Sequence, residues 1–156
     1  MLHLEDGEQR ALIEWATVTP IKGIDVVPHA SIADYLFASP NGGKRNPIEA
    51  ARMNGLGVKK GISDLMLPLS RLGYHGLWIE MKKAIETFRS PSAARDAISD
   101  AQDMWILKMR DAGYAAAACF GWDEARRLIC GYLGERSDFH VQYHQLRMRF
   151  KKTVSA

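Results

Sequence analysis

The chain has 156 residues, 47% hydrophobic and 25% charged, with 21 Lys and Arg against 18 Asp and Glu. That composition fits one folded domain with a real core and excludes a disordered, collagen-like or coiled-coil chain. No apolar run approaches the roughly 20 residues of a membrane span, and the acidic start MLHLEDGEQR does not read as a signal peptide. A cytoplasmic protein with no membrane partner is expected.

Glu5 to Thr17 predicts a helix, with Leu12, Ile13, Trp15 and Ala16 at helical spacing and Thr19-Pro20 closing it. Residues 20–30 carry Gly23, Pro28 and β-branched positions and read as an irregular connection. Tyr35 to Ala38 is a short apolar run that stops at the turn signal Ser39-Pro40-Asn41-Gly42-Gly43. Pro47 to Asn54 predicts a short helix with proline in its first turn, ended by Gly55-Leu56-Gly57. Ile62 to Leu69 and Tyr74 to Lys82 are strand candidates, joined by the hairpin-sized Ser70-Arg71-Leu72-Gly73. Ser90-Pro91 starts a helical stretch that Ser99 restarts or continues to about Arg110, with Ile98, Ala101, Trp105 and Met109 on one face. Gly113 suits a C-terminal cap, Tyr114 to Phe120 reads as a buried strand, and Gly121 to Tyr132 as an amphipathic helix closing near Gly134. The order helix, strand, strand, helix, strand, helix implies an α/β layer fold in one domain.

Charge is unevenly spread. From Gly134 to Ala156 there are five basic and two acidic residues, so the tail alone is +3 and residues 1–133 balance. Lys44, Arg45, Arg52, Lys59 and Lys60 form a second basic cluster, broken by Glu49. Such patches suit a polyanion such as nucleic acid, or are a solvated surface.

Cys119 and Cys130 are too few for a disulfide scaffold or a zinc cluster. Gly55-Leu56-Gly57-Val58-Lys59-Lys60-Gly61 has the wrong spacing and context for a dinucleotide loop, and it lacks the Gly-Lys-Ser/Thr of a phosphate loop. The informative segment is Trp78-Ile79-Glu80-Met81-Lys82. In a strand, Leu77, Ile79 and Met81 point one way, into the core, and Glu80 and Lys82 the other. An acid and a base inside a buried strand cost free energy unless paired or coordinating. Asp64, early on the preceding strand, can converge with Glu80 if the strands are neighbours. Two carboxylates at one point repel, and a hard divalent cation removes that penalty. With Lys82 beside them, this is the apparatus of metal-assisted phosphodiester hydrolysis. The alternative is a sheet-face salt bridge, with Asp64 as a cap or turn residue. Gln102 is likewise either the partner of Ser99 in a capping box or a residue over the carboxylates.

Gly61-Ile62-Ser63-Asp64, Glu80-Met81-Lys82 and Ser99-Asp100-Ala101-Gln102, in that order, resemble the PD-(D/E)XK nuclease superfamily, and more narrowly the VRR-NUC family in its small, stand-alone phage-type members. Pro40 to Arg45, Gly55 to Gly61, Gly113-Tyr114 and the helix Glu5-x-x-x-Gln9 with Leu12 and Trp15 are similar to flanking stretches of that family. The resemblance covers roughly residues 5–133, and Ser63 stands where the motif carries proline. It implies a restriction-endonuclease-like αβββαβ core with a mixed sheet flanked by helices, Mg2+ or Mn2+, and endonuclease activity on DNA. It implies that Asp64, Glu80 and the Met81 carbonyl hold the metal and that Glu5 contributes from the first helix, with Glu8 as competitor. Lys82 would position the attacking water or stabilise developing charge, and Gln102 would orient Lys82 or that water.

The expected organisation is a nuclease domain over residues 1–133 and a basic extension over 134–156, packed on the same domain or on a partner subunit. Lys44, Arg45, Lys59, Lys60, Arg147, Arg149, Lys151 and Lys152 are expected to contact phosphates, with recognition of DNA shape such as branches or Holliday junctions. A homodimer could use Leu128, Tyr132, Phe139, Tyr143, Leu146 and Phe150, or those residues simply cover the core. Host cytoplasm is the expected location if a phage encodes the chain. The alternatives are a catalytically inactive DNA-binding accessory module of the same fold and an α/β scaffold that binds protein.

Overall fold

The computed structural model describes residues 3–40, 45–134 and 138–150. In chain order the elements are α1 (Leu4–Val18), β1 (Phe37–Ala38), α2 (Pro47–Gly55), β2 (Leu65–Leu67), β3 (Leu77–Lys82), α3 (Pro91–Asp96), α4 (Asp100–Asp111), β4 (Ala115–Phe120), α5 (Trp122–Tyr132) and α6 (Phe139–Met148). The strands form one mixed sheet in the order β1-β2-β3-β4, antiparallel except for the parallel pair β3 and β4. This is the α/β sheet with flanking helices that the sequence leads one to expect.

The strands are shorter than the apolar runs. β2 keeps three residues of the expected 62–69, because Pro68 brings no N–H to the ladder. β3 begins at Leu77 rather than Tyr74, since Tyr74 pairs back to Arg71 in an isolated bridge that closes the turn. The 90–110 stretch is two helices. Ser90 and Ser99 each accept a hydrogen bond from the backbone N–H three residues on, so the chain caps twice. Ile106, absent from the expected face, is the buried residue of α4.

One sheet face carries Leu77, Ile79, Met81, Ala115, Ala117 and Cys119, all buried among Leu12 and Ala16 of α1 and Leu128, Ile129 and Tyr132 of α5. β4 is the outer strand, and the alanines along it let the helices come close. Its free edge does not face solvent as a bare ladder. The Tyr143 hydroxyl takes the Ala116 N–H at 3.0 Å, Arg110 Nε donates to the Ala116 carbonyl at 2.8 Å, and Glu124 accepts from the Phe120 N–H at 3.2 Å. Side chains of α4, α5 and α6 thus stand in for a fifth strand and block further pairing at that edge.

The tail is therefore part of the core. Phe139 and Tyr143 are buried with Leu128 and Tyr132, so four of the six positions open to a subunit interface are spent inside the domain. Leu146 packs against the same cluster, and Phe150 packs edge-on against Phe120.

Candidate active site

The site lies where β2 stops pairing with β3. The last rung is Leu65 opposite Ile79, so one step further Asp64 stands opposite Glu80. Cross-strand neighbours share a face. Past that rung the carboxylate of Asp64 replaces the ladder: its Oδ2 accepts the Met81 N–H at 2.7 Å. The bond fixes Asp64 against β3.

Glu80 and Lys82 point to the same side, as strand alternation demands, and both are almost fully buried. Lys82 Nζ lies 3.2 Å from Glu80 Oε1 and 3.6 Å from Glu5 Oε1, the latter reaching in from the first turn of α1. Neither oxygen of Glu80 accepts a hydrogen bond of good geometry. Burial foremost, then the charge of Asp64, pushes the Glu80 carboxyl up to about 8, against the pull of Lys82. Glu5 is raised too, again by burial first, with Lys82 opposing and Asp64 adding to the rise.

Lys82 thus pairs with both Glu80 and Glu5, and Asp64 stands beside them, held against β3. Glu8 is elsewhere: its Oε2 accepts the Trp122 N–H at 2.7 Å and caps α5, whose N-cap, Gly121, has no side chain to do so. Gln102 does form the capping box, accepting from the Ser99 N–H at 2.9 Å, and in that position it also lines the cavity beside Asp64. The cavity measures about 620 Å³, with Glu5, Asp64 and Gln102 on its walls and Arg45, Lys59 and Lys60 around them. Gly61 holds the Lys59-Lys60 loop in place. Its φ is +77°, and a Cβ there would lie 2.3 Å from the Ala101 carbonyl carbon, so only glycine lets the loop touch the first turn of α4.

The tail cations are placed differently. Arg149 pairs with Glu124 and stacks over Phe120, and Arg147 lies over the Tyr143 ring; neither lines the cavity. Lys44, Lys151 and Lys152 lie outside the described residues. His140 and His144 do form an exposed His-x-x-x-His pair on α6, against the expectation that the chain has none, and no third His, Cys, Asp or Glu stands with them among the described residues.

Could the site hold a cation? Among the described residues no three His, Cys, Asp or Glu side chains stand together as a ready-made cage. A buried carboxylate with unsatisfied oxygens next to a second carboxylate nevertheless fits a hard divalent ion. Asp64, Glu80 and the Met81 carbonyl are the residues that would hold it. Mg2+ typically keeps several waters and takes only one or two protein carboxylates, so a small donor set suits it.

A solved structure of a VRR_NUC domain protein is similar to this chain over 86% of this chain and 91% of its own length, at 28% identity and a TM-score of 0.67. No family model and no curated protein matches the chain. The likeness supports a VRR-NUC, nuclease-like domain.

Proposed function

We propose that the chain is a divalent-cation-dependent endonuclease that hydrolyses DNA phosphodiester bonds, a small phage-type member of the PD-(D/E)XK superfamily. One observation carries the reading. A buried carboxylate with unsatisfied oxygens, Glu80, shares a point with Asp64 and Lys82 beside a cavity ringed by Arg45, Lys59 and Lys60. Lys82 pairs with Glu80 at 3.2 Å, and a divalent ion would supply the further positive charge that two neighbouring carboxylates need. The solved VRR_NUC domain protein of similar fold supports the same reading.

Mg2+ or Mn2+, when bound, would polarise the phosphate and lower the pKa of the attacking water. The protein does the rest. The Met81 N–H holds Asp64 in one orientation, and Glu80 is kept dry behind it. Lys82, steadied by Glu80 and Glu5, presents its ammonium where negative charge grows on the phosphate oxygens. The ring of Arg45, Lys59 and Lys60 draws the phosphate backbone in.

Phosphate contacts carry little base information, so the substrate is proposed to be DNA of a given shape, branched or four-way, cut by a homodimer. Incubation of linear, flap and four-way DNA with Mg2+, Mn2+ or EDTA tests this, with sedimentation for assembly. Cleavage with either metal and none with EDTA is expected. DNA bound but never cut would instead make the chain an inactive accessory module, and neither binding nor cutting would leave only a scaffold.

A further inference from the structure

The cavity has a second character that phosphodiester chemistry does not use. α2 forms one of its walls with Ala50, Met53 and Asn54, and Val58 and Ile62 continue that wall toward Asp64. α2 buries none of its residues in the core. It is maintained by its own caps: Asn46 accepts the Glu49 N–H at 2.8 Å, and Pro47 opens the first turn. Met53 and Val58 are half-buried along the cavity, while Ile48, at 84% exposed, and Leu56 stand in solvent. A helix that packs no core yet offers a thioether and an isopropyl group to a cavity ringed by cations is shaped for a ligand that is apolar on one side and anionic on the other.

Resting on the nuclease reading, we propose that this wall is the seat of a single unpaired nucleoside next to the bond that is cut. Its base or sugar would lie on Met53 and Val58, the Asn54 carboxamide would meet its polar edge, and Arg45, Lys59 and Lys60 would hold its flanking phosphates. Charge and chemistry fit: the sugar and base supply the apolar face, and the phosphates match the cationic ring. Methionine suits the role because its polarizable sulfur packs favourably on aromatic rings and adapts to their shape. Size fits too. About 620 Å³ is the scale of a small-molecule site and is room enough for one nucleoside. Among branched substrates this favours flaps and other DNA with an unpaired nucleotide at the cut over fully paired four-way junctions.

The test is fluorescence anisotropy in EDTA, where no cleavage occurs, with a labelled single-stranded decamer and the same sequence as a blunt duplex. Wild-type protein should bind the single strand at least tenfold more tightly. Met53→Glu and Ile48→Glu both add one negative charge to α2, which carries no core residue, so both should fold; unchanged Tm confirms it. Met53→Glu should weaken single-strand binding at least tenfold and Ile48→Glu less than twofold. Equal losses from the two, or a duplex bound as tightly as the single strand, would overturn the seat. The nuclease reading fails separately: Met53-dependent binding without cleavage in Mg2+ or Mn2+ removes the enzyme and keeps the seat. Cleavage that is indifferent to Met53→Glu removes the seat and keeps the enzyme.

Discussion

Lys82 and Glu80 are the residues at the centre of the site, and they respond differently to change. Lys82→Ala should lower cleavage roughly 10²–10³-fold, the scale of losing one well-placed charge stabiliser, while DNA affinity changes little. Lys83→Ala is the control. Lys83 lies over the Phe88 ring at 4.3 Å, away from the carboxylates, and its loss should matter far less. Comparable losses in steady-state assays of the two variants would contradict this placing of the strand. For Glu80 the sign follows from its raised pKa. In metal-free protein the folded state holds the proton more tightly than the unfolded state. The stability this gives is complete below the usual carboxylate range and is lost as pH rises through about 8. Metal-free wild type should therefore lose more Tm between pH 4 and pH 9 than Glu80→Gln does, whatever the variant costs by leaving Lys82 with Glu5 alone. Thermal melts at both pH values check it. Much of this site was legible beforehand, because a period-two strand puts Glu80 and Lys82 on one face whatever surrounds them. The choice between Glu5 and Glu8 was not, since both lie on α1 and only the placing of α5 shows Glu8 capping its first turn.

At the scale of elements, α6 shows where sequence reasoning runs out. Phe139, Tyr143, Leu146 and Phe150 are spaced to share a helix face, but spacing does not say what that face meets. The edge of β4 decides it: a buried backbone N–H at Ala116 needs an acceptor, and the Tyr143 hydroxyl provides one at 3.0 Å. Tyr143→Phe leaves that group unpaired and should cost about 1–3 kcal/mol in chemical denaturation, with fold and cleavage retained. Truncation after Gly134 would strip Phe139 and Tyr143 from the core and should unfold the protein rather than merely weaken DNA binding. A truncated chain with wild-type Tm would show that α6 is dispensable. The sequence located α2 well, between Pro47 and Gly55, yet held no hint that it packs no core and walls the cavity, because burial is a property of neighbours that are distant in the chain.

At the scale of the whole molecule, net charge says less than placement. The tail holds the +3 surplus, yet Arg149 is spent on Glu124 while Arg45, Lys59 and Lys60 line the cavity. Replacing these three by alanine should flatten the log-log salt dependence of DNA binding by roughly one unit for each phosphate left without its cation, and Arg147→Ala should change it less. Titrations at several salt concentrations measure that slope. The overall α/β order was readable because the turn signals and apolar periods are local. The tail's place was not, since its partner strand was closed some twenty residues earlier.

The central claim is that Asp64 and Glu80 together hold the divalent ion that makes the site cut DNA. Cleavage of one labelled DNA substrate, followed against increasing Mn2+ for wild type and Asp64→Asn side by side, tests it most directly. Saturable, EDTA-reversible cutting by the wild type is predicted, with loss of at least a hundredfold in the variant at every concentration and the variant still folded. Undiminished cutting by Asp64→Asn, or cutting by the wild type in EDTA, would contradict it.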